Sequence, residues 1–127
     1  MSQETEPNLH LTQHLALNFF HQGKYQESLN RLYQADQIRQ DDPDTQYIKA
    51  RIYQEQDMLD EAQKLYASIC EMHGAWNQAI YFCSYAVLLY KKNRCEEAFE
   101  KIIQATKINQ TMLESWFNFG ILYEKCK

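Results

Sequence analysis

Leu59-Asp60-Glu61-Ala62-Gln63 is the stretch that decides the fold, because its pattern occurs two more times. Tyr25-Gln26-Glu27-Ser28-Leu29 precedes it and Cys95-Glu96-Glu97-Ala98-Phe99 follows it. In every copy a carboxylate stands directly before a small residue. Those small residues, Ser28, Ala62 and Ala98, lie 34 and 36 residues apart. Each copy follows an apolar stretch of helical spacing that ends in a breaker, namely Gly23, Asp57 and Asn93. Self-similarity at a period of roughly 20–50 residues marks a repeat array. Such arrays usually bind other molecules and leave little room for a catalytic pocket.

The composition agrees with a helical array. At 127 residues the chain is long enough for one continuous core. Three Gly and two Pro leave few places for hairpins, while Leu, Gln, Glu, Lys and Ala favour helix. A net charge of −4 gives no basic stripe for phosphate backbones, so nucleic acid is not an expected partner. No apolar run approaches the ~18 residues of a membrane span, and no signal-peptide pattern opens the chain. Cys70, Cys83, Cys95 and Cys126 form no CxxC pair. Read as unpaired thiols, with Cys70 and Cys95 packing as small hydrophobes, they point to a reducing, intracellular compartment, cytoplasmic or nuclear.

Along the chain, residues 1–8 are polar and read as a disordered leader. Leu11, Leu15 and Phe19, then Leu29, Leu32 and Ala35, follow helical spacing, and Gly23 divides them into two helices. Asp41-Asp42-Pro43-Asp44 closes the second helix and opens a third, running to about Gln56. A fourth is expected over Met58–His73, closed by Gly74, a fifth over Asn77–Lys92, and a sixth over Cys95–Asn109. Thr111-Met112-Leu113-Glu114 has the pattern of a capping box and starts a seventh. The helices pair as units of about 9–42, 43–76 and 79–112, with a partial unit at 113–127. Each pair exposes an apolar face that only its neighbour can cover, so the pairs must stack. The expected fold is all-α, a right-handed solenoid of three helix pairs plus a terminal helix. The two additional residues of the second step fall near Gly74-Ala75-Trp76, where a bend between units is expected.

These residues resemble the tetratricopeptide repeat, whose unit is about 34 residues long. The resemblance is carried by Trp116, Phe119, Gly120 and Tyr123 in the last unit. In the third unit it rests on Phe82, Tyr85, Ala86, Leu89, Ala98, Ile102 and Ala105. Ala50, Tyr53, Ala62, Tyr66 and Ile69 match in the second, where Lys49 takes a place that is usually apolar. Leu15, Ala16, Phe19, Ser28, Leu32 and Ala35 match in the first. Small residues let helices approach, and large ones fill the space between them. A narrower likeness joins residues 82–126 to repeats of the fungal general corepressor and the UTX-type histone demethylases, resting mainly on Cys83 and Cys126. Phe82, Ala86, Asn118 and Ile121 depart from that narrower pattern.

The resemblance implies that the first helix of each pair lines a groove. It places His10, Gln13, His14, Leu17, Phe20 and His21 there from the first unit, and Tyr47, Ile48, Arg51, Gln54 and Glu55 from the second. Ile80, Cys83, Ser84, Val87, Tyr90 and Lys91 follow from the third, and Phe117, Asn118, Ile121 and Glu124 from the fourth. The strongest candidates for partner contact are His14, Leu17, His21, Tyr47, Arg51, Gln54, Cys83, Ser84, Val87, Tyr90, Phe117, Asn118 and Ile121. A mixed apolar, aromatic and polar surface suits a peptide or an amphipathic helix of a partner protein. The carboxylate clamp of chaperone-binding repeats would need Lys, Asn and Arg where this chain has Gln13, Leu17, Ile48, Ile80 and Ser84.

No catalytic residue, cofactor or metal is expected. His10, His14 and His21 share a helical face, but no third ligand stands at a convincing spacing. Asp60-Glu61 and Glu96-Glu97 begin helices, where carboxylates complement the dipole. The expected function is a non-enzymatic protein-interaction scaffold, within a corepressor or another multiprotein assembly. Two alternatives use the same repeats. One is a stacking or self-association module working through the apolar face of the last helix, and the other is a small secretion chaperone.

Overall fold

The computed structural model describes residues 2–72, 78–109, 120–121 and 123–125. Among them run six long helices: α1 (Ser2–His21), α2 (Tyr25–Ile38), α3 (Pro43–Glu55), α4 (Leu59–Cys70), α5 (Gln78–Lys91) and α6 (Cys95–Ile108). They pack as hairpins, α1 on α2, α3 on α4 and α5 on α6, with α3 bridging to the first hairpin and α4 to the third. Residues 120–121 and 123–125 are helical and fall in the expected seventh helix, most of which lies outside the described residues. Gly74-Ala75-Trp76 and the expected bend lie outside them as well. α4 ends at Cys70, three residues before the expected His73.

At the start of the chain, α1 begins at Ser2, inside the stretch read above as a leader.

The three breakers share one geometry. Gly23 (φ 77°), Asp57 (φ 64°) and Asn93 (φ 64°) are all left-handed. Around Gly23, Lys24 N donates to the Phe19 carbonyl (2.9 Å) and Gly23 N to that of Phe20 (3.0 Å). Met58 N→Tyr53 O (2.8 Å) with Asp57 N→Gln54 O (3.1 Å) repeats the pattern, as do Arg94 N→Leu89 O and Asn93 N→Tyr90 O (both 2.9 Å). These are three Schellman caps, which satisfy the last carbonyls of α1, α3 and α5 before the chain reverses. A Cβ at Gly23 would meet nothing within 4 Å, so only backbone strain penalises a side chain there. Gly23→Ala is therefore expected to cost about 1 kcal/mol in chemical denaturation, and Asn93→Gly to stay within about 0.5 kcal/mol of the parent.

The recurring small residues are buried where the helices of each hairpin meet. Ser28, Ala62 and Ala98 have no exposed surface. The Ser28 hydroxyl donates to the Ala16 carbonyl at 2.7 Å, so the polar variant of the pattern is satisfied across α1 and α2. The opening turns of α4 and α6 carry Asp60, Glu61, Glu96 and Glu97, all exposed. Asp60 accepts from Lys92 Nζ at 2.7 Å, and this contact lowers its pKa.

Lys49, the misfit in the second unit, points at α2 and pairs with Asp36. Asp36 also accepts from Gln46 Nε2 at 3.4 Å. An ion pair thus replaces the usual apolar contact between the first and second hairpins.

Candidate groove between the second and third hairpins

α3 begins on a polar hub. Asp42 caps it by accepting from Asp44 N (3.2 Å), with Pro43 as the first helical residue. The same carboxylate oxygen accepts from Gln13 Nε2 at 2.7 Å, and Thr45 Oγ1 accepts from that nitrogen at 2.9 Å. Asp44 accepts from the Tyr81 hydroxyl at 2.5 Å, tying α3 to α5. Burial is the main cause raising the pKa of Tyr81, with the Asp44 hydrogen bond second, so the phenol stays protonated.

From that anchored start α3 splits its side chains between two neighbours. Ile48 and Ile52 turn toward α1 and α2 and join Ala16, Phe20 and Leu32 in one apolar cluster. Tyr47, Arg51 and Gln54 turn toward α5. There they line a cavity of about 490 Å³ with Glu55, Tyr66, Ile80, Ser84, Val87 and Lys91. Tyr47 is fixed by its neighbours, with its ring 5.2 Å from that of Tyr81 and 6.3 Å from that of Tyr66. Its hydroxyl lies 3.0 Å from Ser84 Oγ. The Tyr66 hydroxyl, below, donates to Gln54 Oε1 at 2.9 Å. The Arg51 guanidinium lies 4.8 Å from the Phe20 ring centroid and 5.8 Å from that of Tyr47.

The structure thus gathers Tyr47, Arg51, Gln54, Ser84 and Val87 on one surface. It removes others from the expected groove. Cys83 is fully buried because α5 is sandwiched between α4 and α6, and its thiol cannot meet a partner. Gln13 is held in the polar hub, while Phe20 and Ile48 fill the contact between α1 and α3. Tyr90 is half-buried and packs against the main core. His14 and His21 are exposed on α1 and Leu17 is half-buried there, all outside the cavity. Ile121 is exposed, and Phe117 and Asn118 lie outside the described residues.

Tyr66, with no exposed surface of its own, underlies this groove and is not among the residues expected there. It comes from α4, a second helix of its pair, and forms the cavity floor. Its large side chain at a core position was the available signal, and the hydroxyl the overlooked part.

Among the described residues no group of three His, Cys, Asp or Glu stands close enough to hold a metal, and no helix is long and apolar enough to cross a membrane. Cys70 is buried in the core, which pushes its thiol up to about 12 and leaves it protonated. Cys95 is disulfide-bonded. It is thus not one of the unpaired thiols expected, while Cys70 and Cys83 are free.

With this geometry in place, the chain can be set beside known proteins. Residues 19–73 match the tetratricopeptide repeat family. No curated protein sequence matches the chain. Solved structures extend the likeness across nearly its whole length. The PilF protein of Pseudomonas aeruginosa superimposes with a TM-score of 0.86 at 18% identity, over 97% of this chain and 55% of that one. The second tetratricopeptide domain of human RPAP3, solved with an HSP70 peptide, gives 0.76 at 12% identity over 94% and 98%. The Yersinia enterocolitica type III secretion chaperone SycD, solved with a peptide of the translocator YopD, gives 0.75 at 17% over 94% and 95%. The chain spans about half the length of PilF. The fold is the right-handed tetratricopeptide solenoid.

Proposed function

We propose that this tetratricopeptide solenoid is a non-enzymatic scaffold that takes a peptide segment of a partner protein into the cavity between α3 and α5. The observation that carries the reading is the lining itself. Ile80 and Val87 offer half-exposed apolar surface beside Arg51, Gln54 and Lys91, on a floor already satisfied by the Tyr47–Ser84 and Tyr66–Gln54 contacts. A preformed, partly apolar concavity with a few fixed polar groups suits a segment that would lose entropy on ordering. Two structural neighbours of this size were solved with bound peptides, which supports the same use here.

The heat-shock tail is a poor candidate for that segment. Gln13 is committed to the polar hub and Ile48 is buried, so the clamp positions carry no available cation. The corepressor reading also loses support at Cys83, whose burial is explained by packing. A photo-crosslinking residue at Val87 is expected to capture a partner that the same residue at Gln37, on α2, does not. Adding Ser84→Trp should remove the capture while leaving the helical circular dichroism intact. Equal labelling from both positions would refute the groove.

A further inference from the structure

We infer that the segment held in this groove is acidic, with a carboxylate seated on Arg51. The inference rests on the groove reading above and names the chemistry of its occupant. The cavity lining carries two cations, Arg51 and Lys91, against one carboxylate, Glu55, on a chain whose net charge is −4. This wall therefore runs against the sign of the whole molecule.

Hydrogen-bonding capacity points the same way. The Tyr47 and Ser84 hydroxyls satisfy one another, and Gln54 spends its oxygen on Tyr66. The Gln54 amide nitrogen, the Arg51 guanidinium and the Lys91 ammonium have no hydrogen-bond or ion-pair partner among the described residues. Glu55 stands one turn beyond Arg51 on α3, yet the two form no ion pair. The uncommitted groups are thus mostly donors, and a ligand rich in acceptors completes them.

Arg51 is also preorganised. Its guanidinium carbon stands within cation–π reach of both Phe20 and Tyr47, which restricts the group to fewer orientations while leaving N–H groups for a ligand. A guanidinium held this way matches a carboxylate in bidentate fashion, whereas a lysine there would offer only a point charge. Tyr47 lies one helical turn back, about 6 Å along the axis. The complementary segment therefore carries an acidic side chain for Arg51 and an apolar one for the Ile80 and Val87 wall of the same cavity.

Selection of random dodecapeptides on the immobilised full chain tests this. Selected sequences are expected to be enriched in Asp and Glu. Replacing those residues by Asn and Gln should weaken binding by about tenfold or more. Arg51→Glu, folded by circular dichroism, should reverse the preference toward basic peptides. Neutral or basic sequences selected by the parent protein, or an unchanged preference in Arg51→Glu, would overturn the acidic occupant. If those sequences still lose binding to Ser84→Trp, the groove reading survives. Binding indifferent to Ser84→Trp, or no peptide selected at all, would overturn both.

Discussion

Tyr66→Ala is expected to lower the free energy of unfolding by about 3–5 kcal/mol, the largest effect of any single truncation considered. The ring has no exposed surface and packs within reach of two others, stacked 6.2 Å from Tyr85 and 6.3 Å from Tyr47. Removing it leaves a cavity between α3, α4 and α5 that cannot close, because Tyr47 is held in place by Ser84. It also releases Gln54 from its hydroxyl partner. Urea denaturation would measure the loss, equivalent to roughly 10–20 °C in Tm for a domain of this size. Tyr66→Phe separates the two contributions. It keeps the ring, loses one hydrogen bond to a half-exposed amide, and should cost only about 1 kcal/mol. A Tyr66→Phe penalty as large as that of Tyr66→Ala would mean that the hydroxyl contact dominates packing.

The second large effect is expected from Asp42→Ala, at about 1–3 kcal/mol. One carboxylate oxygen caps α3 and receives the buried Gln13 amide, so the substitution deletes a helix cap and a link between hairpins together. Thr45 still accepts from Gln13, which keeps the cost below that of a fully orphaned donor. Asp42→Asn should recover most of the cap, since its side-chain oxygen can still accept from Asp44 N. If Asp42→Asn is as damaging as Asp42→Ala in urea denaturation, the charge and not the cap is what matters.

The scaffold was legible because it depends on properties that a residue shows alone. Gly23, Asp57 and Asn93 tolerate the left-handed conformation, and all three adopt it. Ser28, Ala62 and Ala98 are small enough to sit where helices touch. The groove was legible only in part, because repeat position fixes the direction of a side chain and not what its neighbour does. Cys83 and Ile48 occupy groove positions by register, yet α5 is enclosed on most sides and α3 is rotated into the first hairpin by Ile48 and Ile52. Gln13 reads as a surface amide until Asp42 and Thr45, some 30 residues away, are brought to it. Pairings of that kind carry no local signal.

The apolar interior is divided. Ala16, Phe20, Leu32, Ile48 and Ile52 form one cluster, and the buried residues of α4, α5 and α6 form another with Ala50. Among the described residues only α3 contributes to both, and polar bonds through Asp36, Asp42 and Lys49 mark the seam on its first-hairpin side. Mutational effects therefore combine unevenly along this chain. Substitutions in α2 and α6 share no neighbouring helix and add, whereas one in α2 couples to one in α3 and one in α6 to one in α5. Sequence change in the first hairpin can accumulate without disturbing the wall formed by α5, and α3 is the element whose alterations each neighbour must answer.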